Sequence, residues 1–144
     1  MVQPHIAHTL SSRETDSLDC DGVRLRSHRR HQATVVSLWG EVTSRNAGAI
    51  GTYLLGQHHD MPLIVDASGL TGLTATGIDL FDGLDEAFNA AGTEWTLVTD
   101  PASAVILADC GLPVTTSVRA ALADIAEATA RQRRIVMALM RKSA

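Results

Sequence analysis

Aromatic side chains are scarce in this chain, 3% of its 144 residues. The core must therefore be aliphatic, drawn from Val, Leu, Ile and Ala. Cysteine is scarcer still. Cys20 and Cys110 stand far apart and outside any motif, the pattern of reduced thiols rather than of a disulfide framework or a zinc site. No apolar run approaches the roughly 18 residues a membrane-spanning helix needs. The N-terminal stretch MVQPHIAHTLSSRETDS lacks both a basic segment and an apolar core, so no signal peptide is expected and the reading is cytoplasmic. Catalytic signatures are missing too. Gly69, Gly72 and Gly77 match neither a phosphate loop nor a dinucleotide fingerprint, and Ser68 is not set in a Gly-x-Ser-x-Gly elbow. The expectation is a protein that is not an enzyme and carries no cofactor.

What is present reads as one globular domain, 45% apolar and 19% charged,. The net charge of −4 gives no reason to expect a nucleic-acid partner, and a membrane partner is not expected either. Charge is unevenly placed. Between Asp60 and Glu127 carboxylates abound and the one cation is Arg119, whereas Arg131, Arg133, Arg134, Arg141 and Lys142 follow with no acid among them. A second basic cluster holds Arg24, Arg26, Arg29 and Arg30. The chain is an acidic body with basic ends.

Residues 1–20 are polar and aperiodic and read as a flexible arm. Val23 to Arg26 alternates as a half-exposed strand, Ser27 to Gln32 reads as a hairpin loop, and Ala33 to Trp39 is β-rich up to Gly40. Ser44 is a candidate N-cap for a helix carrying Ala47, Ile50, Leu54 and Leu55. Leu63-Ile64-Val65 is a continuous apolar strand, as suits burial on both faces, and Asp66 to Thr76 reads as a turn-rich connection. An amphipathic helix follows, with Phe81, Leu84, Ala87, Phe88 and Ala91 on one face and Asp79, Asp82, Asp85 and Glu86 on another, ending at Gly92. Trp95 to Val98 is the next strand, Pro101 opens a short helix, Val114 to Thr116 is an edge strand, and a last helix starts at Val118. The order β-β-α-β-α-β-α-β-α implies crossover units and a mostly parallel sheet made mixed by the leading hairpin.

The segment Leu63 to Ile78, LIVDASGLTGLTATGI, resembles the central motif of STAS domains, the anti-sigma factor antagonist family. There a buried strand leads through an Asp-x-Ser-Gly-like turn to an Asp-Ser-Ser/Thr-Gly motif opening a helix. Asp66, Ser68 and Gly69 match the turn, and Gly77 matches the motif glycine. Val35 to Val42 is similar to the family's second strand and the Gly-x-Leu/Ile-Asp after it. Cys110-Gly111-Leu112 resembles its Ser-Gly-Leu, and Ser117 to Leu122 the start of its last helix. The resemblance implies an α/β STAS-like fold, a small mixed β-sheet with about four helices packed mainly on one face. It divides the chain into an arm at 1–20, a domain at 21–130 and a basic helical extension at 131–144.

The same resemblance implies a non-enzymatic, protein-binding role in transcription regulation and stress response, with an anti-sigma factor or serine-kinase-like protein as partner. A small-ligand-binding STAS sensor, for nucleotide, haem or lipid, is the alternative. The departures from the motif bear on mechanism. Aligned on Gly77, the motif Asp is Thr74, the acceptor Ser is Ala75 and the next hydroxyl is Thr76. The Asp ending Gly-x-Leu/Ile-Asp is Thr43. The partner-binding candidates are thus Thr43, Thr74, Ala75, Thr76, Gly77 and Asp79. Thr74 and Thr76 are the phosphorylation candidates, and each is equally a helix cap, Thr76 with Asp79 by capping-box spacing. His58-His59-Asp60 and the pair His28 and His31 lack metal-ligand spacing and read as solvated loop residues. The acidic helix face reads as solvated or as part of a docking surface. The C-terminal basic helix reads as a frayed tail or as a homodimer element.

Overall fold

Cys20 and Val23 pair across the two-residue turn Asp21-Gly22, whose φ angles are 45° and 100°. A type I′ hairpin turn needs positive φ at both central residues, which is why Asp-Gly is a favoured pair there. A computed structural model describes residues 15–57 and 60–143. Its strands are β1 (Thr15–Cys20), β2 (Val23–Arg29), β3 (Thr34–Gly40), β4 (Leu63–Leu70), β5 (Trp95–Val98) and β6 (Val114–Thr115). The helices are α1 (Ala47–Leu55), α2 (Ala75–Ala91), α3 (Pro101–Asp109) and α4 (Val118–Ser143). The strands form one sheet in sequence order. β1, β2 and β3 pair antiparallel, and β3 to β6 pair parallel.

The two faces of the sheet carry separate cores. On one, Val23, Leu25, Val36, Leu38, Leu63, Val65 and Leu97 meet Ile50 and Leu54 of α1, Phe81, Leu84 and Phe88 of α2, and Leu107 of α3. On the other, Ala33, Val35, Ile64 and Val98 meet Ala121 and Ile125 of α4. Three helices thus cover one face and α4 the other, the STAS arrangement of a mixed sheet with helices mainly on one side. The few aromatics are spent where bulk is needed: Phe88 packs on Trp95 with ring centroids 5.4 Å apart, and the Trp95 Nε1–H donates to Asp85 Oδ1 at 2.8 Å. Among the described residues, no helix is long and apolar enough to cross a membrane.

Four sequence expectations need correction. Thr15–Cys20 is an edge strand and not part of a flexible arm, because the Asp21-Gly22 turn folds it back on β2. Residues 1–14 lie outside the described residues. Strand β2 runs to Arg29, so the hairpin loop is shorter than Ser27 to Gln32, and Arg30 N–H donates to the Ala33 carbonyl across it. The Asp66-Ser68-Gly69 segment is not a turn: β4 continues to Leu70, paired with Trp39 and Gly40 through a register shift after Ser37. Gly69 permits this, since a Cβ there would lie 2.5 Å from Trp39 Cδ1. Helix α1 begins at Ala47 with Asn46 at its N-cap, not at Ser44, and the reason lies in the candidate site.

Candidate functional site

The N-terminus of α2 abuts the β3–α1 loop, and one hydroxyl joins them. Thr74 is the N-cap of α2, its backbone extended at φ −102°, ψ 162°. Its Oγ1 accepts from the Gly77 N–H at 3.0 Å and donates to the Val42 carbonyl at 3.2 Å. The first bond satisfies one of the N–H groups a helix start leaves open. The second ties the helix to the loop. Gly77 is buried at the contact: a Cβ there would stand 3.3 Å from Thr74 Oγ1 and 3.8 Å from Val42 Cβ, so glycine allows the close approach. Thr76 is the second helical residue and half-buried, so the Thr76–Asp79 capping box does not form; Thr74 caps two residues earlier than that reading placed it. Ala75, at the first helical position, and Asp79, one turn on, are both exposed.

Thr43 follows Val42 directly and is held by a residue that sequence reasoning passed over. Asn46 is 1% exposed. Its Oδ1 accepts the Thr43 N–H at 2.8 Å, while its Nδ2 donates to the carbonyls of Asp21 and Glu41, each at 3.0 Å. Three of the four hydrogen-bonding directions of the amide are used, both N–H groups among them, as burial of a polar group demands,. Asn46 thereby locks the β1–β2 turn, the end of β3 and the start of α1 together. The available signal was a lone Asn beside a predicted helix start, which reads as a cap. Thr43 lies on the β3–α1 loop and Thr74, Ala75, Thr76, Gly77 and Asp79 at the start of α2, with the Thr74–Val42 bond joining the two segments and Gly77 buried beneath it.

The remaining candidates fall elsewhere. His28 lies on β2 opposite Val35 and His31 lies in the β2–β3 turn, while His58 and His59 lie outside the described residues. Among the described residues no group of three or more His, Cys, Asp or Glu side chains could hold a metal. Cys20 is buried and Cys110 exposed, both as free thiols. Burial, and then the Asp19 carboxylate, push the Cys20 thiol up from its ordinary value. Two grooves are formed by other residues. One, of about 660 Å³, lies on the open side of the sheet and is lined by Asp19, Gly22, Arg24, Arg26, Trp39 and Gly40. The other, of about 470 Å³, runs along α4.

No protein-family model matches the chain. Osmosensory protein A of Mycobacterium tuberculosis is 35% identical, over 89% of this chain and 87% of that protein. An anti-sigma factor antagonist from Mycobacterium paratuberculosis superposes with a TM-score of 0.62 at 21% identity, covering 73% of this chain and 95% of that one. An RsbS protein from Moorella thermoacetica gives 0.59 at 16% identity, over 72% and 95%.

Proposed function

The chain belongs to the family of osmosensory protein A and carries the STAS fold, and on that premise we propose that it is a non-enzymatic, cytoplasmic, protein-binding module of a partner switch. In this reading it acts as an anti-sigma factor antagonist, taken up by an anti-sigma protein of the serine-kinase type. The name of its osmosensory relative supports placing the switch in a response to osmotic stress. The docking edge is the Thr43 loop together with the start of α2, from Thr74 to Asp79.

The observation that carries the proposal is Ala75. It stands exposed at the first position of α2, beside a capped Thr74, where the family's acceptor serine would stand. A phosphate there would meet the helix N-terminus and change the charge of the docking edge by about −1.5 to −2. A methyl group cannot accept one. The module therefore holds its partner persistently, where a phosphorylatable relative would be released.

Calorimetry with a purified kinase-type anti-sigma protein, with and without ATP, tests this. Binding should be equal in both conditions, and Asp79→Arg should weaken it at least ~10-fold, as charge reversal at a docking edge does. Phosphopeptide mapping after the ATP incubation completes the test. Stoichiometric phosphate on Thr76 accompanied by release of the partner would show that the switch had moved to that hydroxyl, and would sink the persistent-binding reading. Failure to bind any kinase-type anti-sigma protein would sink the partner-switch reading itself.

A further inference from the structure

Helix α4 outruns the surface it packs on. Its first half docks Val118, Ala121, Leu122 and Ile125 on the sheet. The same face continues at three- and four-residue steps through Ala128, Thr129, Gln132, Val136 and Leu139, but every side chain from 131 to 142 is exposed. Ile135, Val136, Met137, Leu139 and Met140 range from 46% to 67% exposed. At about 100° per residue, Arg131, Arg134, Arg141 and Lys142 fall on the far side of the helix. Where the tail leaves the sheet it forms a groove of about 470 Å³, with Glu94 at one lip and Ala128, Thr129, Gln132, Arg133, Val136 and Met137 along the helix.

We propose that this groove receives the C-terminal helix of a second copy of this chain, the two copies exchanging tails about a two-fold axis. Charge favours that occupant. The tail carries five cations and no carboxylate from Arg131 to Lys142, whereas the body from Asp60 to Glu127 is rich in carboxylates with Arg119 its one cation; within the groove Glu94 and Arg133 offset each other. Shape favours it as well, since small Ala128 and Thr129 leave room for the larger side chains of an incoming helix. Each copy supplies both a groove and a rod, so the contact is self-complementary and closes at two. An anionic membrane fits less well. Val136 and Leu139 lie on the side of α4 that faces the sheet, so a bilayer reaching them would meet the acidic body. The dimer stands apart from the partner-switch reading and does not depend on it.

Sedimentation of the unaltered chain from roughly 1 to 100 µM should reach twice the chain mass. Val136→Glu with Leu139→Glu should weaken association at least ~100-fold, the loss typical of central apolar anchors. Glu94→Arg should weaken it ~10-fold, since it sets a second cation beside Arg133 in the groove that receives a basic tail,. All these residues are exposed, and far-ultraviolet circular dichroism checks that the helix persists. Hydrogen exchange of the unaltered chain offers a second measurement that needs no variant: amides beyond 130 should gain protection only at the higher concentration. A monomer throughout, a dimer undisturbed by the Val136/Leu139 change, or co-sedimentation of the chain with phosphatidylserine vesicles through the same two residues would overturn the proposal.

Discussion

Thr74 and Val42, far apart in sequence, are joined by a 3.2 Å hydrogen bond from the Thr74 hydroxyl to the Val42 carbonyl, while the same oxygen caps the Gly77 N–H at 3.0 Å. One hydroxyl thus holds the start of α2 and the loop after β3 in a single arrangement, and the candidate docking edge depends on it.

Replacing Thr74 by Val keeps the shape of the side chain and removes both bonds. Loss of an N-cap costs about 0.5–2 kcal/mol, and the orphaned Val42 carbonyl adds to that. Thr74→Ser should recover most of the loss. Thr74→Asp should recover less, because a carboxylate can cap Gly77 but has no proton for Val42. Urea denaturation of the three variants, compared at constant m-value, checks the order.

Asn46→Ala should be the more severe change. It deletes three hydrogen bonds and leaves the Thr43 N–H and two carbonyls short of partners in a buried place. At about 1–3 kcal/mol for an unsatisfied buried group, with partial relief by water, the total should fall near 2–4 kcal/mol. Asn46→Asp should not rescue it, since the carboxylate would face the Asp21 and Glu41 carbonyls without a donor. Thermal unfolding measures both. A loss below about 0.5 kcal/mol would show that the amide is not the clamp described here.

Tyr53, the single tyrosine, allows a titration with no overlapping signal. Burial, and then the Asp16 carboxylate, push its phenol up from 10.0 to about 12. The folded state holds the proton more tightly than the unfolded one. The resulting stability is therefore fully present below about pH 10 and is lost as pH rises through about 12,. Tyrosinate absorbance should titrate near 12 in the native protein and near 10 in strong denaturant,. A native midpoint at the ordinary value would show that the ring is more hydrated than its packing implies.

Much of the architecture was legible because it rests on local signals. The apolar run Leu63-Ile64-Val65 marked the central strand, and the spacing of Phe81, Leu84 and Phe88 marked α2. Gly92, left-handed at φ 74°, ended that helix where expected, and Pro101 opened α3 at its first position. Strand β1 was hidden because Thr15–Cys20 is polar and poor in β-formers; only the Asp21-Gly22 pair announced its hairpin. Strand β4 extended past its apolar run because Gly69 lets the chain pass close to Trp39, a contact between residues distant in sequence.

The site divides along the same line. The sequence by itself determined which residue types stand at the motif: a hydroxyl at Thr74, a methyl at Ala75, a glycine at Gly77. It also determined the basic, apolar-striped tail, since helical periodicity is a local property. Only the tertiary structure decided that Thr74 rather than Thr76 caps α2, that its second bond goes to Val42, and that Asn46 is a buried clamp. It alone decided, too, where the sheet stops beneath α4 and leaves the stripe uncovered. Each of these is set by long-range approach of backbone groups that must be hydrogen-bonded once buried, and no local pattern records which groups will meet.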